Sequence, residues 1–482
     1  MQAKKFVLLK TIFLILLATL AFIAPAWASD PGRVREDSTD TKVTVTVLYN
    51  FGGKDGDLIY PAGPIVAQGR DGRLYGTTEY GGTYNDGVVF AITPGGDATV
   101  LYQVDTNDGS NGLTLGTDGN LYGTTVYGGI GGGYGTVFTV TPTGELTALY
   151  DFSGDDYDAY PDAPPIEAAD GNFYGTTLGG FNGDGGEVYK MTPSGDEAPL
   201  FKFDRTDGAN PGDPLIQATD GSFYGTTQSG GASGRCEQYG CGTVFKLTPK
   251  GALTVLHSFN VQNFDCYYPA APLIEGDDGE LYGTVPRGGP KGYGCVFRIS
   301  RTGKYKILHS FSITDGETPQ TALVQATDGN FYGTTEGGGK SNVGTVFKIT
   351  RSGTLSVLHS FDTTTGAYPS AGLIQHTDGK LYGFAGQGGT YNYGTFYSVD
   401  IGLQPFASLV STSGRIGKSI GILGQGMTGT TSVSFNGTSA KFNVVSDSYL
   451  RATVPDGATT GFVTVTTCLL YTSPSPRDRQ KS

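Results

Sequence analysis

The chain has 482 residues, a formal net charge of −13 and 78 glycines. Without the three lysines of its first ten residues and the two net positive charges of its last fifteen, the charge is −18. Such an acidic surface repels phosphate backbones and anionic lipids, so we expect no nucleic-acid partner. The glycines recur in register with aromatic and β-branched residues, which predicts many short strands joined by tight turns.

The N-terminal residues 1–28 have the pattern of a signal peptide. Three lysines precede an apolar run at residues 12–23, and residues 26–28 carry the small side chains that signal peptidase reads. The run is shorter than the about 20 residues of a membrane-spanning helix. We therefore expect cleavage after Ala28, a secreted or cell-surface protein, and no transmembrane segment in the mature chain.

One tripeptide, Leu or Phe followed by Tyr-Gly, organises the rest of the chain. It occurs seven times at spacings of 47 to 58 residues, with its tyrosine at Tyr75, Tyr122, Tyr174, Tyr224, Tyr282, Tyr332 and Tyr382. A period of this length indicates a propeller, a solenoid or another repeat array.

Residues 322–361 show the content of one repeat. Two short apolar segments flank the turn at Asp328 and Gly329, and a glycine-rich loop leads to a third segment, residues 344–350. A second turn leads to a fourth, residues 354–361. Four antiparallel strands per repeat are typical of a propeller blade. We therefore predict an all-β fold, with a seven-bladed β-propeller of four-stranded blades at residues 43–400.

The two ends of the array predict how it closes. Residues 43–51 match the fourth strand of a repeat, whereas the seventh repeat supplies three strands and ends at residues 394–400. Pairing the N-terminal strand with the seventh repeat would close the ring and cover two open edges. An open solenoid is the alternative, although such arrays normally carry polar capping repeats.

These residues resemble the GloVer tandem-repeat family of exported bacterial proteins. The resemblance lies in the composite pattern DG-x-[LF]-YG-T … GG … GTVF-x-[IL]-T … G … LHSF, as in residues 328–361, and it covers residues 43–400. The second-strand pattern is also similar to propeller repeats of bacterial sensor proteins. The resemblance implies an exported, often surface-attached protein without an assigned reaction.

Residues 404–467 resemble a second family, the IPT/TIG immunoglobulin-like modules, through residues 416–437, 452–455 and 461–466. Short alternating strands with glycine turns predict a small β-sandwich here. Residues 468–482 fit neither pattern, and residues 468–478 can be written in codons as a string that resembles a sequencing-library adaptor. We set residues 468–482 aside as an artefact, and a genuine polar tail is the alternative. If they are an artefact, we expect the final strand of the module to be missing and any C-terminal anchor to lie beyond Thr467.

Residues present in every repeat are expected to serve the fold. The aspartate of each Asp-Gly turn is therefore interpreted as turn chemistry. His257, His309 and His359 share one position in the fourth strand, which favours packing or strand-edge hydrogen bonding. No zinc spacing, metalloprotease motif, nucleophile elbow or phosphate loop is present. Catalytic residues thus stay unknown.

Two irregular features are candidate sites for chemistry or stability. A cluster of carboxylates in the second repeat could hold Ca²⁺, although a solvated acidic loop is the favoured reading: Asp155, Asp156, Asp158 and Asp162. No other cofactor is expected. Four cysteines of an exported chain suggest disulfides, and three connectivities are open. We prefer Cys236–Cys241 and Cys266–Cys295, because each pair falls within one repeat.

Tyrosines in the glycine-rich loops between second and third strands are the ligand-binding candidates. They are Tyr80, Tyr84, Tyr127, Tyr134, Tyr239, Tyr293, Tyr391 and Tyr393. A tyrosine offers a flat apolar face and a hydroxyl, which suits sugars and protein partners. The alternative is that these rings pack over neighbouring blades.

The sequence favours an extracellular binding or adhesion scaffold without catalytic activity, whose partner is a glycan or a protein. A secreted polysaccharide-active lyase or hydrolase is the first alternative, and it would require polar residues that break the repeat register. A structural surface-layer component is the second. These function classes rest on fold-level analogy.

Overall fold

A computed structural model describes residues 43–52, 59–104, 112–129, 133–154, 158–179, 185–231, 236, 240–411, 414–467 and 470–472. The predicted signal peptide, Asp155, Asp156 and Tyr239 lie outside these residues. Within the described part, no helix is both long and apolar enough to cross a membrane. The fold is all-β, with two 3₁₀ turns at Gln262–Phe264 and Met427–Gly429.

The first four repeats each form a four-stranded antiparallel sheet in sequential strand order. After the N-terminal strand β1 (Thr44–Asn50), their strands are β2 (Ile59–Gln68), β3 (Leu74–Tyr80), β4 (Val88–Ile92), β5 (Ala98–Gln103), β6 (Thr114–Leu115), β7 (Leu121–Thr125), β8 (Thr136–Val140), β9 (Leu146–Asp151), β10 (Ile166–Glu167), β11 (Phe173–Thr177), β12 (Glu187–Met191), β13 (Glu197–Lys202), β14 (Ile216–Gln217), β15 (Phe223–Thr227), β16 (Thr243–Leu247) and β17 (Leu253–Ser258).

The fifth to seventh repeats follow the same plan with additional short strands. Their strands are β18 (Cys266–Tyr267), β19 (Ile274–Glu275), β20 (Leu281–Val285), β21 (Arg287–Gly288), β22 (Cys295–Ile299), β23 (Tyr305–Ser310), β24 (Val324–Gln325), β25 (Phe331–Thr335), β26 (Thr345–Ile349), β27 (Leu355–Ser360), β28 (Ala367–Pro369), β29 (Ile374–Gln375), β30 (Leu381–Gln387) and β31 (Thr395–Asp400). Strands β18 and β21 pair separately from the sheet of the fifth repeat.

The sheet of the seventh repeat takes its outermost strand from the other end of the array. Strand β1 pairs antiparallel with β31, from Thr44 opposite Asp400 to Asn50 opposite Thr395. It thereby occupies the position that the fourth strand holds in the other repeats. The edge of β31, which would otherwise be open, is covered.

Apolar side chains are buried between successive repeats. Seven hydrophobic clusters each combine residues of two neighbouring repeats. One of them joins the first and seventh repeats, where Phe90 meets Phe384 at a ring-centroid distance of 5.6 Å, and Phe51 after β1 contacts both. The apolar core therefore lies between the faces of neighbouring sheets, as in a propeller-like arrangement.

A glycine of one repeat lies close to a proline of the next repeat at six of the junctions between repeats. The glycine before the third strand has a positive φ, and a Cβ there would lie within 3.0 Å of the Cδ of a proline in the next repeat. The pairs are Gly135–Pro161, Gly186–Pro211, Gly242–Pro269, Gly294–Pro319, Gly344–Pro369 and, between the last and first repeats, Gly394–Pro61. Any larger residue would force neighbouring sheets apart.

The C-terminal residues form two further four-stranded sheets around one apolar core. The strands are β32 (Ser408–Leu409), β33 (Ser419–Leu423), β34 (Ser432–Phe435), β35 (Thr438–Ser439), β36 (Phe442–Ser446), β37 (Tyr449–Thr453), β38 (Val463–Thr466) and β39 (Leu470–Thr472). We call these two sheets the C-terminal sandwich. Strand β39 belongs to the tail that we set aside, and in the structure it pairs with β38 as an edge strand.

The C-terminal sandwich rests on the Asp-Gly turns of the first and seventh repeats. The Ser448 hydroxyl donates to the backbone oxygen of Arg70 at 2.7 Å, and the Arg70 guanidinium lies 4.9 Å from the centre of the Tyr449 ring. Gln425 donates to the hydroxyl of Thr377 at 2.9 Å. These contacts hold the sandwich at the end of the strands opposite to the tyrosine-bearing loops.

Replacing Gly344 by alanine tests the glycine–proline junction. The new Cβ would lie 2.6 Å from Pro369 and 2.5 Å from the backbone oxygen of Thr335. We expect a loss of about 2 kcal/mol or more in the free energy of unfolding, measured by urea denaturation. Gly221→Ala is the control, since Gly221 has φ +83 but no atom within 4 Å of the added Cβ. It should cost about 1 kcal/mol, and equal losses would contradict the steric role.

Candidate functional site

The repeated aspartates are part of the turns, as the sequence predicts. The Asp328 carboxylate accepts a hydrogen bond from the Asn330 backbone at 3.0 Å and one from the Tyr332 hydroxyl at 2.8 Å. The tyrosine-to-aspartate bond recurs in all seven repeats, at 2.7 to 3.0 Å. Although burial opposes it, hydrogen bonds from Asn330 and Tyr332 and the charge of Lys348 lower the pKa of Asp328. The tyrosine of each tripeptide thus anchors its own turn.

The three equivalent histidines make local contacts at the end of the fourth strand. His257 and His309 lie 2.9 and 3.0 Å from the carboxylates of Asp265 and Asp315. His359 lies 3.3 Å from the hydroxyl of Thr365. The regular position of these histidines therefore has a structural reason.

Most of the predicted tyrosine candidates are exposed. Relative exposure reaches a third or more for Tyr80, Tyr84, Tyr127, Tyr293, Tyr391 and Tyr393. Tyr134 is half-buried, with its ring 6.0 Å from that of Tyr160. The packed arrangement thus fits Tyr134, whereas the other six described candidates present ring surface to solvent.

Two of these loops share a sequence and a conformation. The first and seventh repeats both carry Gly-Gly-Thr-Tyr-Asn, which ends at Asn85 and Asn392. These asparagines have φ values of 64° and 63°, and each side-chain oxygen accepts the backbone N–H of the first glycine at 3.3 Å. Tyr84 and Tyr391 precede them and are 61% and 50% exposed. Two constrained loops therefore display equivalent tyrosines on repeats that pack together.

Side chains outside these loops fix the same pair. The backbone N–H of Thr83 donates to the Gln103 side chain at 3.0 Å, and that of Thr390 donates to the Asn50 side chain at 2.8 Å. Loops held in this way lose little conformational entropy when a ligand binds. We call Tyr84 and Tyr391, with their two loops, the tyrosine pair.

The two described members of the acidic cluster have separate environments. Asp158 accepts hydrogen bonds from the backbone and hydroxyl of Ser153, at 3.2 and 2.8 Å. Asp162 lies beside Gly212 in the next repeat, and its charge contributes to raising the pKa of Asp213. Among the described residues, no three His, Cys, Asp or Glu side chains are grouped to hold a metal ion. Ca²⁺ binding by this cluster stays a prediction.

Both preferred disulfides are confirmed. Cys236 bonds to Cys241 and Cys266 bonds to Cys295, with Cα–Cα distances of 5.0 and 6.4 Å. The second bond links the segment before the first strand of the fifth repeat to its third strand. Disulfides persist in oxidising compartments, so they support an extracellular location.

The sequence patterns did not reveal Glu187, a deeply buried ionisable residue of the repeats. It occupies the position of a threonine that pairs with another threonine in other repeats, as Thr345 does with Thr335 at 2.8 Å. Glu187 is 1% exposed, and the Lys202 ammonium is 3.8 Å from its carboxylate, too far for a hydrogen bond. The change from GTVF to GEVY was the signal that could have revealed it.

Glu187 belongs to a buried acidic group between the second and third repeats. The Tyr150 hydroxyl interacts with the carboxylates of both Asp158 and Glu197. Burial, together with the charges of Glu197 and Asp158, raises the pKa of Glu187 to about 8. Burial, opposed by the Tyr150 hydrogen bond, raises the pKa of Glu197 to about 7. At neutral pH this group therefore holds protons that ordinary carboxylates have lost.

The segment before β14, the first strand of the fourth repeat, contains another residue that differs from its counterparts in the other repeats. Asp213 is 6% exposed and accepts a hydrogen bond from the Thr226 hydroxyl at 2.9 Å. Burial raises its pKa to about 7. In the sixth repeat, Thr321 holds the equivalent place and bonds to Thr334 at 2.8 Å. Asp213 is thus a second ionisable residue at a position where another repeat has a threonine.

The repeat array matches the Gloeobacter/Verrucomicrobia repeat model at residues 34–237 and 235–444. Since these matches span most of the sequence, the chain belongs to this repeat family. No curated protein matches the chain.

Solved structures are similar to the chain at low sequence identity. A catalytically inactive variant of virginiamycin B lyase from Staphylococcus aureus, in complex with quinupristin, is 14% identical, with a TM-score of 0.51. That match covers 74% of this chain and 99% of the lyase. A fungal alcohol oxidase in complex with copper is 13% identical over 88% of this chain and 98% of its own, with a TM-score of 0.47. The likeness to the lyase supports a propeller-like fold.

The buried acidic group predicts an alkaline-sensitive stability. The pKa of Glu187 is raised in the folded state, so folding binds protons, and stability falls as pH rises from about 4.3, the ordinary Glu value, to about 8. Glu187→Gln should reduce this decline in the unfolding midpoint between pH 5 and 8.5.

Glu145→Gln is the control for this pH dependence, because Glu145 is an exposed glutamate in the second repeat. It should leave the decline unchanged. Parallel pH curves for wild type and Glu187→Gln would contradict the role assigned to Glu187.

Proposed function

We propose that the chain is an exported binding scaffold, in which seven repeat sheets close into a propeller and the tyrosine pair binds an extracellular glycan. The observation that carries this proposal is the pair of identical, constrained loops with Tyr84 and Tyr391 exposed on the packed first and seventh repeats. Pairing of β1 with β31 supports ring closure. The signal-peptide pattern and the two disulfides support export.

A glycan suits the chemistry of the tyrosine pair. A sugar ring stacks its C–H face on an aromatic ring, while its hydroxyls meet phenolic and backbone groups. Tyr84 and Tyr391 offer an exposed ring and a phenolic hydroxyl on each loop. Under this proposal the C-terminal sandwich, with its IPT/TIG resemblance, spaces the repeats from a partner or anchor, and no catalytic step is required.

The raised carboxyl pKa values favour an enzyme as the second candidate function. Groups with pKa values near 7, such as Glu197 and Asp213, are suited to proton transfer. Burial weighs against this role for two of the raised carboxyl groups. Glu187 and Asp213 are 1% and 6% exposed and have little access to a substrate. Cleavage of a retained glycan would move the assignment to a polysaccharide-active enzyme.

A glycan array probed with the purified full chain tests the tyrosine pair. We expect retention of intact oligosaccharides, and we expect the double variant Tyr84→Ala with Tyr391→Ala to lower affinity about tenfold or more in calorimetric titration. The reason is the loss of two exposed aromatic surfaces on neighbouring repeats.

Tyr293→Ala is the matched control, since Tyr293 is exposed in the corresponding loop of the fifth repeat. It should bind as the wild type does. Equal losses in both variants would place binding elsewhere, and no glycan retention would favour protein partners or self-assembly into a surface layer.

A further inference from the structure

A cleft of about 740 Å³ lies between the C-terminal sandwich and the turns of the second and third repeats. Its volume is in the range of ligand pockets. The sandwich is attached over the first and seventh repeats, through Arg70 and Thr377, and extends across the neighbouring turns. The cleft is therefore at the opposite end of the strands from the tyrosine pair.

The wall formed by the sandwich is basic. It carries Arg415 and Lys418 in the loop before β33, and Arg451 on β37. All three side chains are exposed, and none forms an ion pair within the described part of the chain. Residues 404–467 contain four cations, so three of the four line one cleft. This concentration stands out in a chain with a net charge of −13.

The register of β33 and β37 explains how Arg451 reaches the cleft. Ile420 and Ala452 pair across the two strands and point into the sandwich core. Alternation then places their neighbours Gly421 and Arg451, which also pair, on the outer face. The Tyr449 hydroxyl occupies the space above Gly421, since a Cβ there would lie 2.6 Å from it.

The carboxylates on the wall formed by the repeats already accept hydrogen bonds from that wall. Glu167 accepts hydrogen bonds from the backbone and hydroxyl of Thr117, at 2.6 and 2.5 Å. Asp170 accepts the Tyr174 hydroxyl at 2.9 Å and the Lys190 ammonium at 3.0 Å. The two carboxylates thus have internal partners, whereas Arg415, Lys418 and Arg451 have no ion-pair partner among the described residues. The basic wall therefore attracts a negatively charged ligand.

We propose that this cleft binds a short, carboxylate-bearing oligosaccharide, with Arg415, Lys418 and Arg451 as its charge-recognising residues. Guanidinium groups bind carboxylates in a two-point fork, and an ammonium adds a third point of attraction. The exposed Ser419 offers a hydroxyl partner for sugar hydroxyls. The acidic surface beyond the cleft would repel a long polyanion, which favours a short chain.

Calorimetric titration of the full chain with trigalacturonate tests this site, with maltotriose as the neutral trisaccharide and inorganic phosphate as a simple anion. We expect binding of trigalacturonate that weakens with added salt. Lys418→Gln and Arg451→Gln should each weaken it about five- to tenfold. Affinity for maltotriose that equals that for trigalacturonate, or binding of phosphate without trigalacturonate, would overturn the proposal.

Lys441→Gln is the matched control, because Lys441 is an exposed lysine of the same sandwich outside the cleft. It changes the net charge as Lys418→Gln does and should leave affinity unchanged. Equal weakening by both would show non-specific attraction. The double variant of Tyr84 and Tyr391 should keep trigalacturonate binding, so the two sites can fail independently.

Discussion

The close approach of successive repeats at one glycine is the constraint on which the array depends. At this point the chain has a positive φ, and the proline of the next repeat occupies the space that a side chain would need. The buried clusters between sheets form because the backbones come this near. The contact of Gly394 with Pro61 repeats the rule between the last and first repeats, so the ends of the array obey the geometry of its middle.

Most of the repeated polar residues have structural partners, so few positions in the repeats are left for function. The turn aspartates and tripeptide tyrosines satisfy each other, and the fourth-strand histidines have local partners. The remaining candidates are residues that differ between repeats at positions where the fold accepts a change. Cys295 and Glu187 stand where other repeats have a threonine, and one forms a disulfide while the other joins a buried acidic group. The tyrosine pair occupies loops that the fold leaves exposed.

Much of this could be predicted from the sequence, because repetition reveals what each copy needs. The four strands, the role of Asp328 and both disulfides followed from register and spacing. The acidic group did not, since Glu197 and Tyr150 come from different repeats and meet through sheet packing. The cleft was also missed, because the position of the sandwich depends on a few contacts, such as Ser448 with Arg70, that no local pattern encodes. Tail residues Leu470–Thr472 pair as a strand, which codon reasoning could not foresee.

Strand β1 has a consequence for how the protein is made. It is the first strand of the repeats to be synthesised, yet its pairing strand β31 is the last strand of the repeats, and the contact between Asn50 and Thr390 joins residues 340 apart. Until the seventh repeat emerges, β1 has an unpaired edge. The pairing of β1 with β31 then closes a long loop of chain, which costs conformational entropy. Intermediate repeats can stack as they appear, because each contacts its neighbour. Completion of the array is therefore a single late event, and a chain stopped before the seventh repeat would expose an adhesive strand at one end and an apolar sheet face at the other.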